Sequence, residues 1–591
     1  MHNQAKKTHG QFKQQAGGYL AVKAGKPLAL LDTAATGPLT ARNSDGTVTF
    51  DGTLPAQGSA RVVLYLPGVD MTVEKLGSWA SPEPLRKAVQ TYWREALAPA
   101  MQVEVPDALV SRVLLSSQVR CLIDARNEGD GARIAPWIAA MSYGPLESEG
   151  HSVIRGMDFM GHADFAQRAL DFFVHRYNRA GFLTTGYTVF GTGWHLWSLG
   201  EHYQLNHDTE WLQQVAPEVI RVGDWVSKQL EKTKQLDARG QRRPEYGLMP
   251  PGVLANWNSF AYHFCMSAYY YAALREVGTA LDAIHNPKGA DFLRTAAELR
   301  ANLLRAYNWT RSQTPVLPLR NGTWVAAYPS QVHSPGKLGD FFPGQDAGRS
   351  WCYDVELGAH QLVPAEVLKV DSPEVTEMMH HMEDVQFLAE GWFDYPAEMN
   401  QQDWFNLGGF SKVQPYYTRN AEIYALRDDV KPFVRSYFNT MASLLNTENL
   451  TFWEHFHNGG AWDKTHETGY FLQQTRFMLL MEHGEDLWLN PLTTSNWLQD
   501  GMTIAVKNAP TRFGKTSYSI RSRLKQQFIE GAIDPPDRAA PKHLVLRVRH
   551  PEGKSIRGVT VNGQAHQDFE AAAGSIRLEP STKPIKVRVE Y

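Results

Sequence analysis

The sequence has little cysteine, little net charge and no long hydrophobic run, and each shortage excludes a class of protein. Three cysteines occur in 591 residues, Cys121, Cys265 and Cys352, and their spacing and odd number argue against a disulfide framework or a CxxC metal site. Each has apolar sequence neighbours, so we expect buried thiols. The 59 basic and 62 acidic residues give a charge of −3, which predicts no nucleic-acid or anionic-membrane partner. No apolar segment approaches the roughly 20 residues that span a bilayer.

Histidine spacing gives no sign of a metal centre. His195 and His202 are seven residues apart, and His455, His457 and His466 lie near one another in the sequence. None of these histidines has the HExxH spacing of a catalytic zinc site. We therefore expect no metal and no cofactor.

The N-terminal part of the sequence predicts short strands. Residues 1–15 are polar and basic without an apolar core, so they do not form a secretory signal. From Tyr19 to Val69, short alternating segments separated by glycine predict strands near 28–31, 47–50 and 60–66. These strands are too few for a sandwich alone, so we expect the remnant of a larger β-domain and leave the cellular compartment open.

Tryptophan, by contrast, is abundant, with 17 residues. Many lie in six long segments that are rich in aromatic residues and glycine and also contain carboxylates. Tryptophan rings stack on the apolar faces of sugars, while carboxylates bind hydroxyls and transfer protons, so these segments predict a sugar site. The segments are residues 136–150, 181–195, 244–258, 324–354, 392–413 and 451–467.

The six aromatic segments alternate with short connections between twelve predicted helices. In the clearest helix, Glu210–Lys232, tryptophan and valine recur every three or four residues. Ser372-Pro373-Glu374 has the cap, proline and acid typical of a helix start. Six helical hairpins with all long loops at one end predict a closed toroid. A solenoid is the rival, although the units have no fixed length.

The remaining segments complete a four-part organisation. Residues 1–80 are the partial β-sandwich, 81–105 a linker helix, 106–487 the helical barrel and 488–591 a C-terminal β-sandwich. The last region has short alternating strands, such as the one over 543–549. The predicted fold is therefore mainly α with flanking β: a partial N-terminal β-region, an (α/α)6 toroid and a C-terminal β-sandwich.

Five groups of residues, taken in order, carry a resemblance to a known superfamily. They are Ile134-Ala135-Pro136 with Tyr143, Tyr246-Gly247-Leu248-Met249-Pro250, His466-Glu467-Thr468, Trp497-Leu498-Gln499-Asp500-Gly501 and Pro510-Thr511-Arg512-Phe513-Gly514. Over residues 55–591 the chain resembles the six-hairpin glycosidases, toroidal hydrolases and phosphorylases that include glucoamylases, trehalases, maltose phosphorylases, α-L-rhamnosidases and α-L-fucosidases. The resemblance implies a carbohydrate substrate.

The resemblance also implies the positions of two catalytic carboxylates. In that superfamily the general acid usually follows the fifth helix and the general base the eleventh, which corresponds here to Glu245 and Glu454. Inverting hydrolysis needs an acid that protonates the leaving oxygen and a base that activates water. Glu245 has an apolar setting that could keep it protonated, and His455 or His457 could orient Glu454 or bind sugar.

One departure leaves the identity of the acid open. Many relatives have an aspartate where this chain has Asn256-Trp257-Asn258, so Asp346, Asp394 and Glu398 are alternatives to Glu245. We expect eight residues to bind substrate: Asp394, Glu398, Trp392, Trp453, Asp346, Trp257, Glu147 and His455.

Structural roles are the alternative at several of these positions. Glu245 could cap a helix or pair with Arg242 or Arg243, and Glu454 could pair with Lys464 on the surface. Glu147 and Glu149 lie at a helix start, where acids favour the helix dipole without any function.

The leading hypothesis is an inverting glycoside hydrolase that removes a terminal sugar from an oligo- or polysaccharide. A phosphorylase ranks lower, because no cluster of Ser, Lys and Arg near Glu454 marks a phosphate site. A polysaccharide lyase acting on a uronate-containing glycan could use Tyr187, Tyr395, His455 and Arg349. A non-catalytic sugar-binding protein is the third possibility. The sugar, linkage, anomer and oligomeric state stay open.

Overall fold

Two units make up the structure, a computed structural model. It describes residues 11–15, 17–33, 36–78, 82–140, 143–183, 190–254, 260–319, 321–334, 357–383, 415–454 and 460–591. Contacts within the chain separate Met1–Leu97 from Ala98–Tyr591. In these described ranges, no helix is both long and apolar enough to cross a membrane.

The first unit is built on a four-stranded antiparallel sheet. Alternate residues of its central strands, among them Tyr19, Ala21 and Leu31, are buried, as expected of a sheet with one covered face. The sheet contains, in spatial order, β1 (Phe12–Gln15), β2 (Gly18–Lys23), β3 (Lys26–Asp32) and β6 (Val63–Tyr65), while β4 (Thr40–Ser44) and β5 (Thr47–Asp51) form a hairpin. Two helices complete the unit, α1 (Val73–Gly77) and α2 (Pro82–Leu97).

Strand β7 (Gln102–Glu104) opens the second unit, and three short hairpins follow it: β8 (Arg126–Glu128) with β9 (Arg133–Ala135), β10 (Val316–Pro318) with β11 (Trp324–Ala326), and β12 (Leu445–Asn446) with β13 (Thr451–Phe452). Alternating helices form the middle of the unit. They are α3 (Ala108–Asp124), α4 (Gly150–Phe159), α5 (Ala163–Val174), α6 (Phe190–Asn206), α7 (Thr209–Lys232), α8 (Phe264–Ala283), α9 (Lys288–Arg311), the 3-10 helix Ala359–Leu362, α10 (Pro373–His381), α11 (Pro415–Thr418), α12 (Asn420–Leu426), α13 (Val430–Leu444) and α14 (Thr465–Leu479).

Local sequence signals explain where two of these helices begin. The Asp208 carboxylate accepts a hydrogen bond from the Trp211 amide at 2.9 Å at the start of α7. The Ser372 hydroxyl accepts one from the Val375 amide at 3.3 Å at the start of α10, with Pro373 in the first turn. Both starts are those predicted from the sequence.

The helices close into a ring with an inner and an outer layer. Every residue of α4 and α14 is buried, so both belong to the inner layer. The inner sequence of contacts runs from α4 to α6, α8 and the 3-10 helix, whose Gln361 side chain donates to the carbonyl of Tyr417 in α11. Helices α11 and α12 then contact α14, and α14 returns to α4. The remaining helices, α3, α5, α7, α9, α10 and α13, pack outside, so the predicted toroid is confirmed.

Glycine permits the contact that closes the ring. A Cβ atom at Gly156 of α4 would lie 2.3 Å from the Gly469 carbonyl oxygen of α14, and one at Gly469 would lie 2.5 Å from the Ser152 carbonyl oxygen. The two helices therefore approach with backbone against backbone. Since inner and outer helices alternate, all inner helices begin at the same end of the ring. We call that end the mouth and the opposite one the far end.

Two sheets follow the ring. A five-stranded sheet has the order β14 (Leu480–His483), β15 (Asp486–Leu489), β19 (Leu544–Arg547), β23 (Ser575–Leu578) and β22 (Phe569–Glu570). A seven-stranded sheet has the order β21 (Gln564–His566), β20 (Gly558–Val561), β24 (Ile585–Glu590), β18 (Phe528–Asp534), β17 (Thr516–Arg523), β16 (Thr503–Ala509) and β7. The sequence pattern does not predict the central strand β18, in which Gly531 interrupts the alternation.

Cysteine placement agrees with the sequence for the two described residues. Cys121 and Cys265 are buried free thiols, and burial raises the pKa of both. Cys352 lies outside the described residues.

Candidate functional site

Glu454 lies at the mouth, directly after a short hairpin. Strands over Leu445–Asn446 and Thr451–Phe452 pair, and the Glu454 amide then donates to the Ala461 carbonyl at 2.9 Å. The Glu454 carboxylate accepts three hydrogen bonds. The Lys464 ammonium donates at 2.8 Å, the Ala461 amide at 3.2 Å and the Tyr143 hydroxyl at 3.4 Å. Three donors on one carboxylate favour its ionised form.

The Lys464 side chain is buried between Glu454 and an aromatic ring. It is 1% exposed, and the Glu454 side chain is 9% exposed. The Lys464 ammonium also lies 3.6 Å from the centre of the Tyr143 ring. The predicted Glu454–Lys464 pair therefore exists, but it is buried rather than on the surface. Separating the two side chains would leave a buried charge without its partner and would lower the stability of the fold. We therefore expect the Lys464 and Glu454 side chains to stay in contact.

Tyr143 is a neutral donor in this arrangement. Burial raises its pKa to about 12, and the carboxylates of Glu454 and Glu149 contribute to the increase. The hydroxyl therefore keeps its proton across the physiological range and donates it to Glu454. Glu149 therefore lies within electrostatic reach of the Tyr143 and Glu454 side chains.

Glu149 is a second buried carboxyl group at the mouth, and it is the N-cap residue of α4. The Tyr417 hydroxyl donates to its Oε1 at 3.1 Å. Its Oε2 is buried and has no hydrogen-bond partner in the part of the chain that the structure describes. Burial raises the pKa of Glu149, the Lys464 ammonium opposes that effect, and the Glu454 carboxylate adds to it. Its environment thus favours the neutral form.

Further hydrogen bonds connect helices α11 and α14 with the start of α4, next to Glu149. The Glu467 carboxylate, in the first turn of α14, accepts from the Tyr416 amide at 3.3 Å and lies 3.2 Å from Nε2 of His466. The Tyr416 hydroxyl donates to the Ser148 carbonyl, next to Glu149. These bonds connect α11, α14 and the start of α4, and so hold the Glu149 backbone in place.

Hydrogen bonds also join the first and last mouth segments. The Thr465 amide donates to the Ile138 carbonyl at 2.9 Å, and the Ala140 amide donates to the Asp463 carboxylate at 3.1 Å. Near this junction, burial and the neighbouring Asp463 raise the pKa of Asp124, the last residue of α3, to about 7. The strands and helices on both sides of Glu454 are thereby held together.

Glu245 lies in a different environment. Its carboxylate contacts Nε2 of His333 at 3.1 Å, and its side chain is 14% exposed. The Arg305 guanidinium of outer helix α9 donates to the carbonyls of residues 243, 244 and 246. Neither Arg242 nor Arg243 is the ion-pair partner of Glu245, and its role as general acid stays a prediction.

The other predicted site residues divide into two groups. Glu147 is fully buried beside Gly191 of α6, where a Cβ atom on Gly191 would lie 2.1 Å from the Glu147 Cγ. Trp453 is half-buried, and its amide donates to the Leu444 carbonyl at 2.8 Å. The remaining predicted residues lie outside the described ranges: Trp257, Asp346, Trp392, Asp394, Glu398 and His455, together with Asn256, Tyr187, Tyr395 and Arg349. Within those ranges, no group of three His, Cys, Asp or Glu side chains is placed to hold a metal ion.

Sequence reasoning misses the contact between Glu149 and Tyr417, and it expects the Glu454–Lys464 pair on the surface rather than buried. Glu149 precedes a helix start, so the helix dipole explains it equally well without a site. Lys464 follows Glu454 by ten residues, and only the turn that pairs the Glu454 and Ala461 backbones brings their side chains together. The aromatic residues that flank Glu454 in the sequence are the signal that marks this part of the site.

Solved structures similar to this chain include glycosidases. One is an α-L-rhamnosidase from Dictyoglumus thermophilum, with 10% identity, a TM-score of 0.49 and coverage of 83% of this chain and 50% of that chain. A bacterial glucoamylase complexed with acarbose has 10% identity, a TM-score of 0.47 and coverage of 79% and 74%. An α-L-rhamnosidase from Aspergillus terreus has 11% identity, a TM-score of 0.43 and coverage of 81% and 50%.

These comparisons concern the fold. The rhamnosidase and glucoamylase structures are of the kinds that the sequence resembles. The matched region spans about half the length of the rhamnosidase chains. The sequence matches no protein-family model and no curated protein.

Proposed function

We propose that this protein is an inverting glycoside hydrolase that removes a terminal sugar from an oligo- or polysaccharide, with Glu454 as the general base. The observation that carries the proposal is the pair of buried carboxyl groups at the mouth, Glu454 and Glu149, whose environments favour opposite protonation states. Acid–base catalysis of this kind needs one carboxyl group that carries a proton and one carboxylate that is ionised.

Glu454 has the surroundings that a base needs. Lys464, Tyr143 and the Ala461 amide all donate to its carboxylate, which favours the ionised form that can take a proton from water. In inverting hydrolysis the water lies between the base and the sugar, which requires about 6.5–9.5 Å between the two carboxyl groups. Lys464 and Tyr143 would fix the direction of the carboxylate without taking part in proton transfer.

The general acid has two candidates. Glu149 is favoured by burial, because its neutral form carries the proton that the leaving oxygen must receive. Glu245 is favoured by its position after the helix that corresponds to the acid-bearing helix of six-hairpin glycosidases. The two assignments predict different effects of substitution on substrates with good and poor leaving groups.

Substrate binding is proposed for the remaining residues of the mouth. Trp257, Trp392 and Trp453 would stack on sugar rings, and Glu147, Asp346, Asp394, Glu398 and His455 would bind hydroxyl groups. This assignment rests on the residue types and on their segments, which are the aromatic connections of the sequence.

The experiment is a screen of the purified protein against aryl glycosides and against plant and bacterial oligosaccharides, with the anomer of the product determined by NMR. We expect release of a terminal sugar with inverted configuration. Glu454→Gln should abolish release while the circular dichroism spectrum is unchanged. Glu448→Gln is the matched control, because Glu448 is exposed in the preceding hairpin. Full activity of Glu454→Gln would refute the assignment, and an unsaturated product absorbing in the ultraviolet would indicate a lyase.

A further inference from the structure

The two oxygens of the Glu149 carboxyl group have different surroundings. The Tyr417 hydroxyl donates to Oε1 at 3.1 Å, whereas Oε2 is buried and has no hydrogen-bond partner among the described residues. In a neutral carboxyl group one oxygen is the carbonyl acceptor and the other carries the proton. Because a donor already occupies Oε1, that oxygen is the acceptor, and the proton of the neutral form belongs on Oε2.

Tyr417 belongs to α11, a helix of four residues whose position depends on its neighbours. A single turn is too short to be stable through its own hydrogen bonds. The Tyr416 amide donates to the Glu467 carboxylate at 3.3 Å, and the Tyr416 hydroxyl donates to the Ser148 carbonyl. The carbonyl of Tyr417 accepts from the Gln361 side chain. The backbone that carries the Tyr417 side chain is therefore held by three other elements.

The Gln361 amide extends this support to helix α8. Its Nε2 donates to the Tyr417 carbonyl, and its Oε1 accepts from the Tyr269 hydroxyl at 3.1 Å. The Tyr417 carbonyl can only accept, so the amide must present its nitrogen there and its oxygen to Tyr269. All three side chains are buried. Hydrogen bonds thus run from α8 through the 3-10 helix and α11 to the carboxyl group of Glu149.

Charged neighbours act on Glu149 as well, in opposite directions. Burial raises its pKa most strongly, the Lys464 ammonium lowers it, the Glu454 carboxylate raises it and the Tyr417 hydrogen bond lowers it. Of these three side chains, Tyr417 is the one that donates to the Glu149 carboxyl group directly. The other titratable side chains on the surrounding elements are Tyr143, Glu147, His151, Tyr416, His466 and Glu467.

We propose that Tyr417 is the positioning residue of Glu149, and that its hydroxyl holds Oε1 as the carbonyl oxygen and so keeps the proton on Oε2. The effect on hydrolysis rests on the proposed function, but the placement of the proton does not. Tyr417 acts through Glu149. Without the hydroxyl, the ionised form of Glu149 loses a hydrogen bond, so the neutral form persists to higher pH.

A purely structural role for Tyr417 leads to different expectations. In that case its hydroxyl only satisfies a buried polar atom, and Tyr417→Phe lowers stability without changing the protonation of Glu149. Tyr416→Phe is the matched control, because Tyr416 is a buried tyrosine of the same turn. Its hydroxyl donates to the backbone carbonyl of Ser148, the residue next to Glu149, rather than to the carboxyl group.

The experiment is infrared difference spectroscopy of the full chain as a function of pH. Subtraction of the Glu149→Gln spectrum isolates the C=O stretch of the neutral Glu149 carboxyl group. A hydrogen bond to a carbonyl oxygen lowers its stretching frequency, so this band should move to higher frequency in Tyr417→Phe and should also persist to higher pH. Tyr416→Phe should have the frequency and the titration of the natural protein.

The profile of kcat/KM against pH tests the consequence for hydrolysis. In Tyr417→Phe the alkaline limb should move to higher pH, and the maximum should fall roughly tenfold, as expected for one lost hydrogen bond. A shifted infrared band with an unmoved alkaline limb would support the role of Tyr417 and reject Glu149 as the general acid. The expected infrared result in a protein without glycosidase activity would support the role of Tyr417 and refute the proposed function.

Two results would overturn the proposal. One is an unchanged frequency and titration of the Glu149 band in Tyr417→Phe, and the other is the same change in Tyr416→Phe. If Tyr417→Phe does not fold, Gln361→Met takes its place, because it releases the Tyr417 carbonyl and weakens the hold on the hydroxyl. The band should then move in the same direction, and an unmoved band would also overturn the proposal.

Discussion

The Lys464 ammonium donates to the Glu454 carboxylate at 2.8 Å and is buried almost completely. The first prediction concerns stability. In Lys464→Met the carboxylate loses its cation inside the protein, and breaking a buried ion pair from one side costs about 3–5 kcal/mol. We expect a loss of this size in the free energy of unfolding, measured by urea denaturation. Lys507→Met, at an exposed lysine of β16, should change it by less than about 0.5 kcal/mol.

A double-mutant cycle separates this pair from general packing. The variant with both Lys464→Met and Glu454→Gln removes both charges, so it should be more stable than the sum of the single losses predicts. Strict additivity of the two substitutions would show that the pair contributes no coupling energy.

The second prediction concerns the pH dependence of the proposed reaction. The Lys464 ammonium donates to the Glu454 carboxylate at 2.8 Å, and a carboxylate that loses an adjacent cation is easier to protonate. In Lys464→Met the acidic limb of the profile of kcat/KM against pH should therefore move to higher pH, while Lys464→Arg should keep it near its original position. A loss of activity by the same factor at every pH would instead indicate a role in folding or substrate binding.

The third prediction concerns stability against pH and does not depend on catalysis. Burial and Asp463 raise the pKa of Asp124 from 3.8 to about 7. Because the folded-state pKa lies above the unfolded one, this group's stabilising contribution is complete below about pH 4 and is lost as pH rises to about 7. Asp124→Asn should remove this decline, so the variant gains stability over the natural protein above pH 7. The exposed Asp130→Asn serves as control. Parallel stability curves for Asp124→Asn and the natural protein would contradict the assignment.

The fourth prediction concerns the closure of the ring. A methyl group on Gly156 would lie 2.3 Å from a backbone oxygen of Gly469, which no side-chain rotation can relieve. Overpacking typically costs about 1–3 kcal/mol, and we expect Gly156→Ala to fall at or above the upper end in thermal or urea unfolding. Gly68→Ala, where an added Cβ meets no atom within 4 Å, is the control. Equal stability of the two variants would mean that α4 and α14 separate easily.

The spacing of hydrophobic residues and the capping residues at helix ends predict most of the helical ring. The stripe of tryptophan and valine in α7 and the Ser372 cap of α10 are local features, so one segment of sequence contains all the information. Strand β18 is different. Its central residue is Gly531, and the space left by the missing side chain is filled by Leu546 of the other sheet, a contact that no local pattern reports.

The site is less predictable than the fold for a related reason. Glu454 stands out because aromatic residues surround it in the sequence. Its contact with Tyr143 does not, because Tyr143 is more than three hundred residues away, and the burial of the predicted Lys464 pair depends on the turn at Ala461. Whether a carboxyl group is protonated depends on burial and neighbouring charge. Those are properties of the closed ring rather than of the residues next to Glu149.

The fifth prediction decides between Glu149 and Glu245 as the general acid. An acid is needed only when the leaving group is poor, so its loss should affect substrates unequally. If Glu149 is the acid, Glu149→Gln should lower kcat/KM for an unactivated oligosaccharide by about 10²–10⁴-fold. The same variant should leave cleavage of a dinitrophenyl glycoside nearly unchanged, because that leaving group needs no proton. Glu245→Gln should then have a small effect on both substrates. The reverse result, with the leaving-group dependence in Glu245→Gln, would assign the acid to Glu245. Glu454→Gln should fail on both substrates, since the activation of water does not depend on the leaving group.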